Sequence, residues 1–363
     1  MDLAWIDYSP HGKDCVGAME PLLSLTKFAT IAVMEEHESI PAAASRAFTN
    51  ARTPFFDYRP HSYETLIYST YYAPRGRQRL YMLGNELSHR YLYANDLIIG
   101  IIGAPGAGKS TLIRGLFPGL ELTNDDDGVN VRQALIYDFD QDDFYSPHTF
   151  HLDVHYELAF RQRWEIAEAI TKAVSHGRRV VIEHFDLIWE TLGYNAQIIF
   201  GIGEEVIVAR PGVFGPFPAA IKNIVNKTIR YRLMAHSAED ITTLILEKDY
   251  HYKRKILHSD VKHGFVINFP ERPSVSIAEL EAKVKEVIFQ DIPIAAVGED
   301  RIMVGSDEIF CTGVRTHVKS SGEIENFRLA EEFRYHPIFQ EYMLIGRVGG
   351  EEPAGYEQIL SEK

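Results

Sequence analysis

The chain has 363 residues, too many for one small core and suited to two or three domains. Hydrophobic residues make up 45% and charged residues 24%, which excludes a disordered or fibrous chain, and the two cysteines, Cys15 and Cys311, exclude a disulfide framework and fit a reducing cytosol. A formal net charge of -14 excludes coating of nucleic acid by bulk electrostatics, while leaving room for a local basic site. The opening MDLAWIDYSP has no signal-peptide pattern and no apolar run is long enough to span a bilayer, so a cytoplasmic protein without a membrane partner is expected.

Residues 1–95 mix helix and strand signals, including the alternating stretch Thr65–Tyr72 (TLIYSTYY), and carry no motif that can be tied to chemistry. Leu97–Ile102 (LIIGII) reads as a buried parallel strand and Ser110–Leu116 as the helix that follows it. Between them lies GAPGAGKS, Gly103 to Ser110, which fits the phosphate-binding loop pattern GxxxxGK[ST]. Gly103, Ala104, Pro105, Gly106, Ala107 and Gly108 would form the loop whose backbone N–H groups, Pro105 excepted, face the nucleotide phosphates. Lys109 would reach the β/γ oxygens, the Ser110 hydroxyl would hold Mg²⁺, and Thr111 would continue the site. ATP is the expected nucleotide.

An acidic run follows between Glu121 and Asp143, then a long amphipathic helix expected over Asp153–Ser175 and a strand over Arg179–Glu183 (RVVIE). Alternating strands and helices predict an α/β fold with a parallel sheet, helices on both faces and the site at the strand ends. Gly201, Gly203, Pro211, Gly212, Gly215, Pro216 and Pro218 then read as loops or a domain junction. Helices are expected over Ile221–Leu233, Ala238–Glu247 and Ile277–Phe289, with a strand at Gly264–Phe269 and short strands out to Val348. The expected domains are 1–95 of unknown role, 96–205 with the P-loop, an α+β domain over 206–335, and a tail over 336–363.

Transfer of a phosphoryl group requires a base for the acceptor hydroxyl and an acid for the metal. Gln141–Tyr145 reads QDDFY and resembles the DxFY element of the uridine kinase and phosphoribulokinase family of P-loop kinases. The resemblance covers about Leu97–Glu190 and implies that Asp142 is the catalytic base. Glu183, at the end of an apolar strand, is the candidate metal-orienting acid, with Asp186 as its rival.

Cys311–Phe327 reads CTGVRTHVKSSGEIENF, and the stretch Arg232–Ile241 reads RLMAHSAEDI. Together they resemble the second additional domain of alanyl- and threonyl-tRNA synthetases and of free-standing alanyl-tRNA editing proteins, with a Cys, a nearby His, a TGEIG-like run and an earlier HxxxH helix. The similarity spans about Ile221–Leu329. It implies a zinc site formed by His236, Asp240, Cys311 and His317, with Asp240 in place of the second histidine and five residues between Cys311 and His317. Residues i and i+4 share a helix face, and Cys, His and carboxylate all serve as zinc ligands. In that family the metal site lies where a mischarged aminoacyl-tRNA is hydrolysed. The favoured expectation is therefore a P-loop protein joined to an editing-type hydrolase acting on the tRNA acceptor end. The alternative is a nucleoside kinase whose C-terminal domain is a non-catalytic substrate or RNA-binding module. Lys222, Lys227, Arg230, Arg232, Lys253, Arg254 and Lys255, with Tyr231, Tyr250 and Tyr252, form a candidate surface for phosphates and stacked bases.

Overall fold

A computed structural model describes residues 66–122, 135–137, 148–252 and 258–350, all within one compact unit, Arg59–Lys363. Asp142, Cys15, Lys253, Arg254, Lys255 and most of the acidic run lie outside the described residues.

In chain order, strand β1 (Tyr68–Tyr72) leads into helix α1 (Arg77–Tyr91), strand β2 (Ile98–Gly103) and helix α2 (Lys109–Leu116). Strand β3 (Thr149–Asp153), the short α3 (Val154–Glu157), helix α4 (Arg163–Ser175), strand β4 (Arg179–Glu183) and the short α5 (Trp189–Leu192) follow. Then come strands β5 (Ile198–Ile202) and β6 (Glu205–Ala209) and the 33-residue helix α6 (Pro218–Tyr250). Beyond it lie β7 (His258–Val261), β8 (Gly264–Phe269), α7 (Ile277–Phe289), β9 (Ile294–Ala296), β10 (Arg301–Val304) and β11 (Asp307–Phe310). The last described elements are β12 (Arg328–Leu329), β13 (Arg334–His336) and β14 (Glu341–Arg347).

The protein is mixed α/β. Six strands form the first sheet in the order β1-β6-β5-β2-β4-β3. β2 runs parallel to β4 and β5, and β3 parallel to β4. β6 is antiparallel to both β5 and β1, so the sheet is mixed rather than parallel as expected. The reason is local: only Gly203 and Glu204 separate β5 from β6, enough for a hairpin turn and far too few for a parallel crossover.

Both faces of this sheet are covered. Ile99, Ile101, Phe200 and Val208 pack against Leu80 and Leu87 of α1 and Leu112 and Ile113 of α2. On the other face Ile98, Val180, Ile182 and Ile199 meet Ile166 and Ile170 of α4 and Ile221, Ile224 and Val225 of α6. Each such fully buried side chain contributes roughly 1.5–3 kcal/mol, so packing rather than helix propensity holds these helices.

Three expectations are corrected. The single helix over Asp153–Ser175 is a strand, a helical turn and a second helix, because two start signals interrupt it. Asp153 accepts the Tyr156 amide at 3.1 Å to cap α3, and Gln162 with Glu165 forms a capping box that begins α4. The two helices expected on either side of Met234 are one, since Ala235, His236 and Ser237 include neither Gly nor Pro to break it. The glycines at 201 and 203 belong to the β5–β6 hairpin and not to a junction. A Cβ on Gly201 would come within 2.5 Å of Ile221 Cγ2, and one on Gly203 within 2.8 Å of the Val225 backbone, so they let α6 lie close against the sheet.

At 1.5 Å per residue α6 is about 50 Å long, which carries its C-terminal half beyond the first sheet. There Met234, Ala238, Ile241 and Ile245 share a second core with Phe265, Leu280, Val284, Ile302 and Leu344. This core is closed by an antiparallel sheet in the order β12-β14-β8-β7, with β13 on β14, and by the three strands β11-β10-β9.

The β5–β6 turn also meets the β7–β8 turn through Glu204. Its side chain accepts the His263 amide and lies 3.3 Å from His263 Nε2, beside Glu205, with Lys262 and Arg75 as the nearby cations. Burial pushes Glu204 up to about 8, and the neighbouring Glu205 adds to it. A carboxyl whose folded value is raised stabilises the fold at low pH and loses that stabilisation as pH climbs to the folded value. Unfolding free energy should therefore fall between pH 5 and pH 8 by up to about 4 kcal/mol, at 1.36 kcal/mol per pH unit. Glu204→Gln should flatten that decline in urea titrations run at each pH; an unchanged slope would refute the assignment.

Candidate nucleotide and metal sites

β2 is buried along its whole length and delivers the chain to the Gly-rich loop at Gly103. Gly106 (φ 78°) and Gly108 (φ 98°) adopt left-handed backbone, which a side chain would oppose, and the Ala107 amide closes the turn on Ala104 O at 3.1 Å. Pro105 and Gly106 are exposed, Ala104 is half-buried, and Ser110 and Thr111 stand half-buried on the first turn of α2. Lys109 is buried and folds back over the loop, with Nζ 3.4 Å from Ala104 O and 3.8 Å from Glu183 Oε2.

Register explains that second contact, because Glu183 of β4 sits directly across from Ile101 of β2. Its other oxygen, Oε1, meets His151 Nε2 of β3 at 3.2 Å. Asp186, the rival acid, is instead bound to Lys222 Nζ at 2.6 Å. Neither His151 nor Asp153 stands out in the sequence, since Asp153 reads as the start of a helix and His151 lies just before it, where no strand is expected. The alternation of buried Phe150 and Leu152 was the available sign of a strand.

The second constellation is assembled from α6 and the loop after β11. His236, Asp240, Cys311 and His317 bring one ligand atom each to within 4.8 Å of one another. Cys311 Sγ is 3.4 Å from His236 Nε2 and 3.8 Å from His317 Nε2, while Asp240 Oδ2 is 3.8 Å from His236 Nε2 and 2.9 Å from His317 Nε2. Metal–ligand bonds of about 2.0–2.3 Å set tetrahedron edges of roughly 3.3–3.7 Å, close to most of these separations. These residues could hold a metal ion, and the donor set is compatible with zinc.

The outer ring nitrogens of both histidines are held by backbone partners. His236 Nδ1 faces Thr316 O at 3.1 Å and Thr316 Oγ1 at 2.7 Å, and His317 Nδ1 faces Val314 O at 3.2 Å. A carbonyl only accepts, so each Nδ1 carries a hydrogen, which leaves each Nε2 as the ring atom turned toward the other donors. His317 Nε2 and Asp240 Oδ2 meet at 2.9 Å, a contact that a proton on Nε2 or a shared metal ion satisfies. Burial, reinforced by the adjacent His317 ring, holds His236 well below the usual imidazole range, which is the neutral form a metal requires. The Gly313 amide reaches Cys311 Sγ at 3.3 Å. Cys311 and Asp240 are 2% and 1% exposed, so no water reaches the centre from their side.

The two sites are joined. Arg232, one turn before His236 on α6, donates to Ala107 O of the P-loop at 2.8 Å and to Pro74 O. Its burial lowers it to about 10, still charged at neutral pH. Arg75 holds Glu239 at 3.1 Å and Asp260 at 3.0 Å, which satisfies the other charges buried against α6. The expected base-stacking surface is not formed as read. Tyr231 is 1% exposed and stacked on His263, and Tyr250 and Tyr252 pack against the second core.

No protein-family model matches the chain, and no curated protein matches it. Among the described residues no helix is long and apolar enough to cross a membrane.

Proposed function

We propose that the protein is an ATP- and Mg²⁺-dependent phosphotransferase, of the uridine kinase and phosphoribulokinase type, acting on a hydroxyl of a small molecule such as a nucleoside. Its C-terminal part, similar to a tRNA synthetase editing domain, serves as a non-hydrolytic, metal-held module. One observation carries the choice: four protein donors, from buried His236, Asp240 and Cys311 and half-buried His317, lie close enough to fill all four positions of a tetrahedral site. A catalytic zinc site keeps a position open for water or substrate, whereas a closed four-ligand shell is structural.

In this reading Lys109 neutralises the β/γ oxygens and the Ser110 hydroxyl with Glu183 orients the metal end of the nucleotide. Asp142 takes the proton from the acceptor hydroxyl. Magnesium would supply charge neutralisation of the phosphates. Zinc would compensate the buried Cys311 thiolate and Asp240 carboxylate, and a reducing cytosol would keep that thiol available.

ADP release measured against a panel of nucleosides tests the proposal. Acceptor-dependent ADP formation is expected, lost by a factor of about 10²–10⁴ in Asp142→Asn, the usual worth of a general base. Release of amino acid from mischarged aminoacyl-tRNA, abolished by Cys311→Ala, would replace this reading with the editing hydrolase.

A further inference from the structure

The P-loop and the metal-site loop line one cavity. Gly106, Ser110, Thr111 and Arg114 stand on one side of it, Gly313 and Arg315 on the other. Arg75, Arg77 and Arg232 also reach its wall, and Glu299 is the one acid among its lining residues. Lys109 does not line it. Gly106 and Gly108 of the loop line it together with Ser110, Thr111 and Arg114 on the α2 turns that follow Lys109, where the part of a nucleotide beyond its terminal phosphates would extend.

The two loops lie close together, and the metal-site loop is also tied to α1. A Cβ on Gly106 would lie 3.7 Å from Arg315 O, and the Arg77 amide donates to Thr312 O at 2.9 Å. A Cβ on Gly313 would come within 2.1 Å of Arg75 O, so the metal-site loop is pressed against the segment that precedes α1.

What fixes the loop is the ligand set itself. Gly313, Val314 and Thr316 each give a backbone group to Cys311, His317 or His236. Moving any ligand therefore moves the wall of the cavity.

We infer that the Cys311–His317 loop is the second half of the nucleotide site, contacting the α-phosphate and sugar end, and that a zinc ion in the quartet holds it in the binding shape. This rests on the reading of the P-loop as ATP-binding. Without a cation the four donors lose the bonds that draw them together, and the loop whose backbone groups brace Cys311, His236 and His317 is released with them. With the cation, Gly313–Thr316 are pinned against Gly106. Arg232 ties the same α6 face to Ala107, giving zinc and nucleotide a common support. Linkage makes the effect reciprocal: zinc tightens ATP and ATP tightens zinc by the same factor.

The test is calorimetric titration of the full chain with Mg·ATP, zinc-loaded and after chelation. About a tenfold loss of ATP affinity on zinc removal is expected, within the usual 5–150-fold range of such couplings, with recovery on re-addition of zinc. Arg315→Ala should weaken ATP several-fold while retaining one zinc per chain by metal analysis. ATP affinity that ignores zinc overturns the inference. Should the zinc-free chain unfold by near-UV circular dichroism, the reciprocal measurement decides: competition of a chromogenic chelator for the bound zinc, with and without ATP. Zinc affinity unchanged by saturating ATP again overturns it. Failure of the zinc-loaded chain to bind ATP at all would instead refute the P-loop reading, a distinguishable result.

Discussion

Replacing Cys311 with alanine is expected to strip the metal centre of its tightest-held charge and to lower zinc affinity by about three orders of magnitude, equivalent to about 4 kcal/mol. The thiolate is the softest of the four donors, and its loss leaves two neutral imidazoles and one carboxylate. Because folding and metal binding are linked, that figure should reappear as lost stability in zinc-replete buffer. At roughly 2–4 °C per kcal/mol for a unit of this size, the melting temperature should fall by about 8–16 °C. In excess chelator the two proteins should melt much closer together, since removal of one sulfur from a site 2% exposed leaves only a small cavity. That contrast separates a lost ligand from a damaged core. Identical zinc content and identical melting in replete buffer would rule out the quartet as a metal site.

Lys109→Ala should weaken Mg·ATP binding by at least about a hundredfold, or 2.7 kcal/mol, the lower range for truncating one partner of a desolvated charge pair. Lys109 is buried, and its ammonium is already poised between Ala104 O and Glu183. Its removal takes away the cation that the β/γ oxygens would meet and leaves Glu183 facing His151 across 3.2 Å. Repulsion between that carboxylate and the incoming phosphates then adds to the loss. Zinc content should stay at one per chain, because Lys109 has no contact with the quartet. Unchanged ATP affinity by calorimetry would remove the P-loop from the site.

Much of the local structure was legible. β4, β8 and α7 fall on the residues their patterns mark out, because each is bounded by polar or Gly/Pro punctuation and keeps a single periodicity. Legibility failed where local and tertiary signals compete. Val154 to Ser175 keeps a helical pattern, yet Asp153 is used as a cap and the residues before it as a strand beside β4. Gly201 and Gly203 look like loop residues until the helix lying on them is known. Tyr231 looks like a stacking platform because sequence does not reveal burial.

The sequence by itself determined the chemistry on offer: a glycine loop ending in Lys109 and Ser110, and four side chains, His236, Asp240, Cys311 and His317, with the donor atoms of a metal shell. Those are properties of residue type and short spacing, and neither depends on distant contacts. Only the tertiary structure decided that the four donors converge within 4.8 Å of one another and that they stand beside the glycine loop. A single uninterrupted α6, held against β5 by two glycines, extends past the first sheet and carries Arg232, His236 and Asp240 at i, i+4 and i+8 along one face. Arg232 thereby reaches Ala107 while the next two turns reach the metal loop, bringing two motifs two hundred residues apart to one cavity.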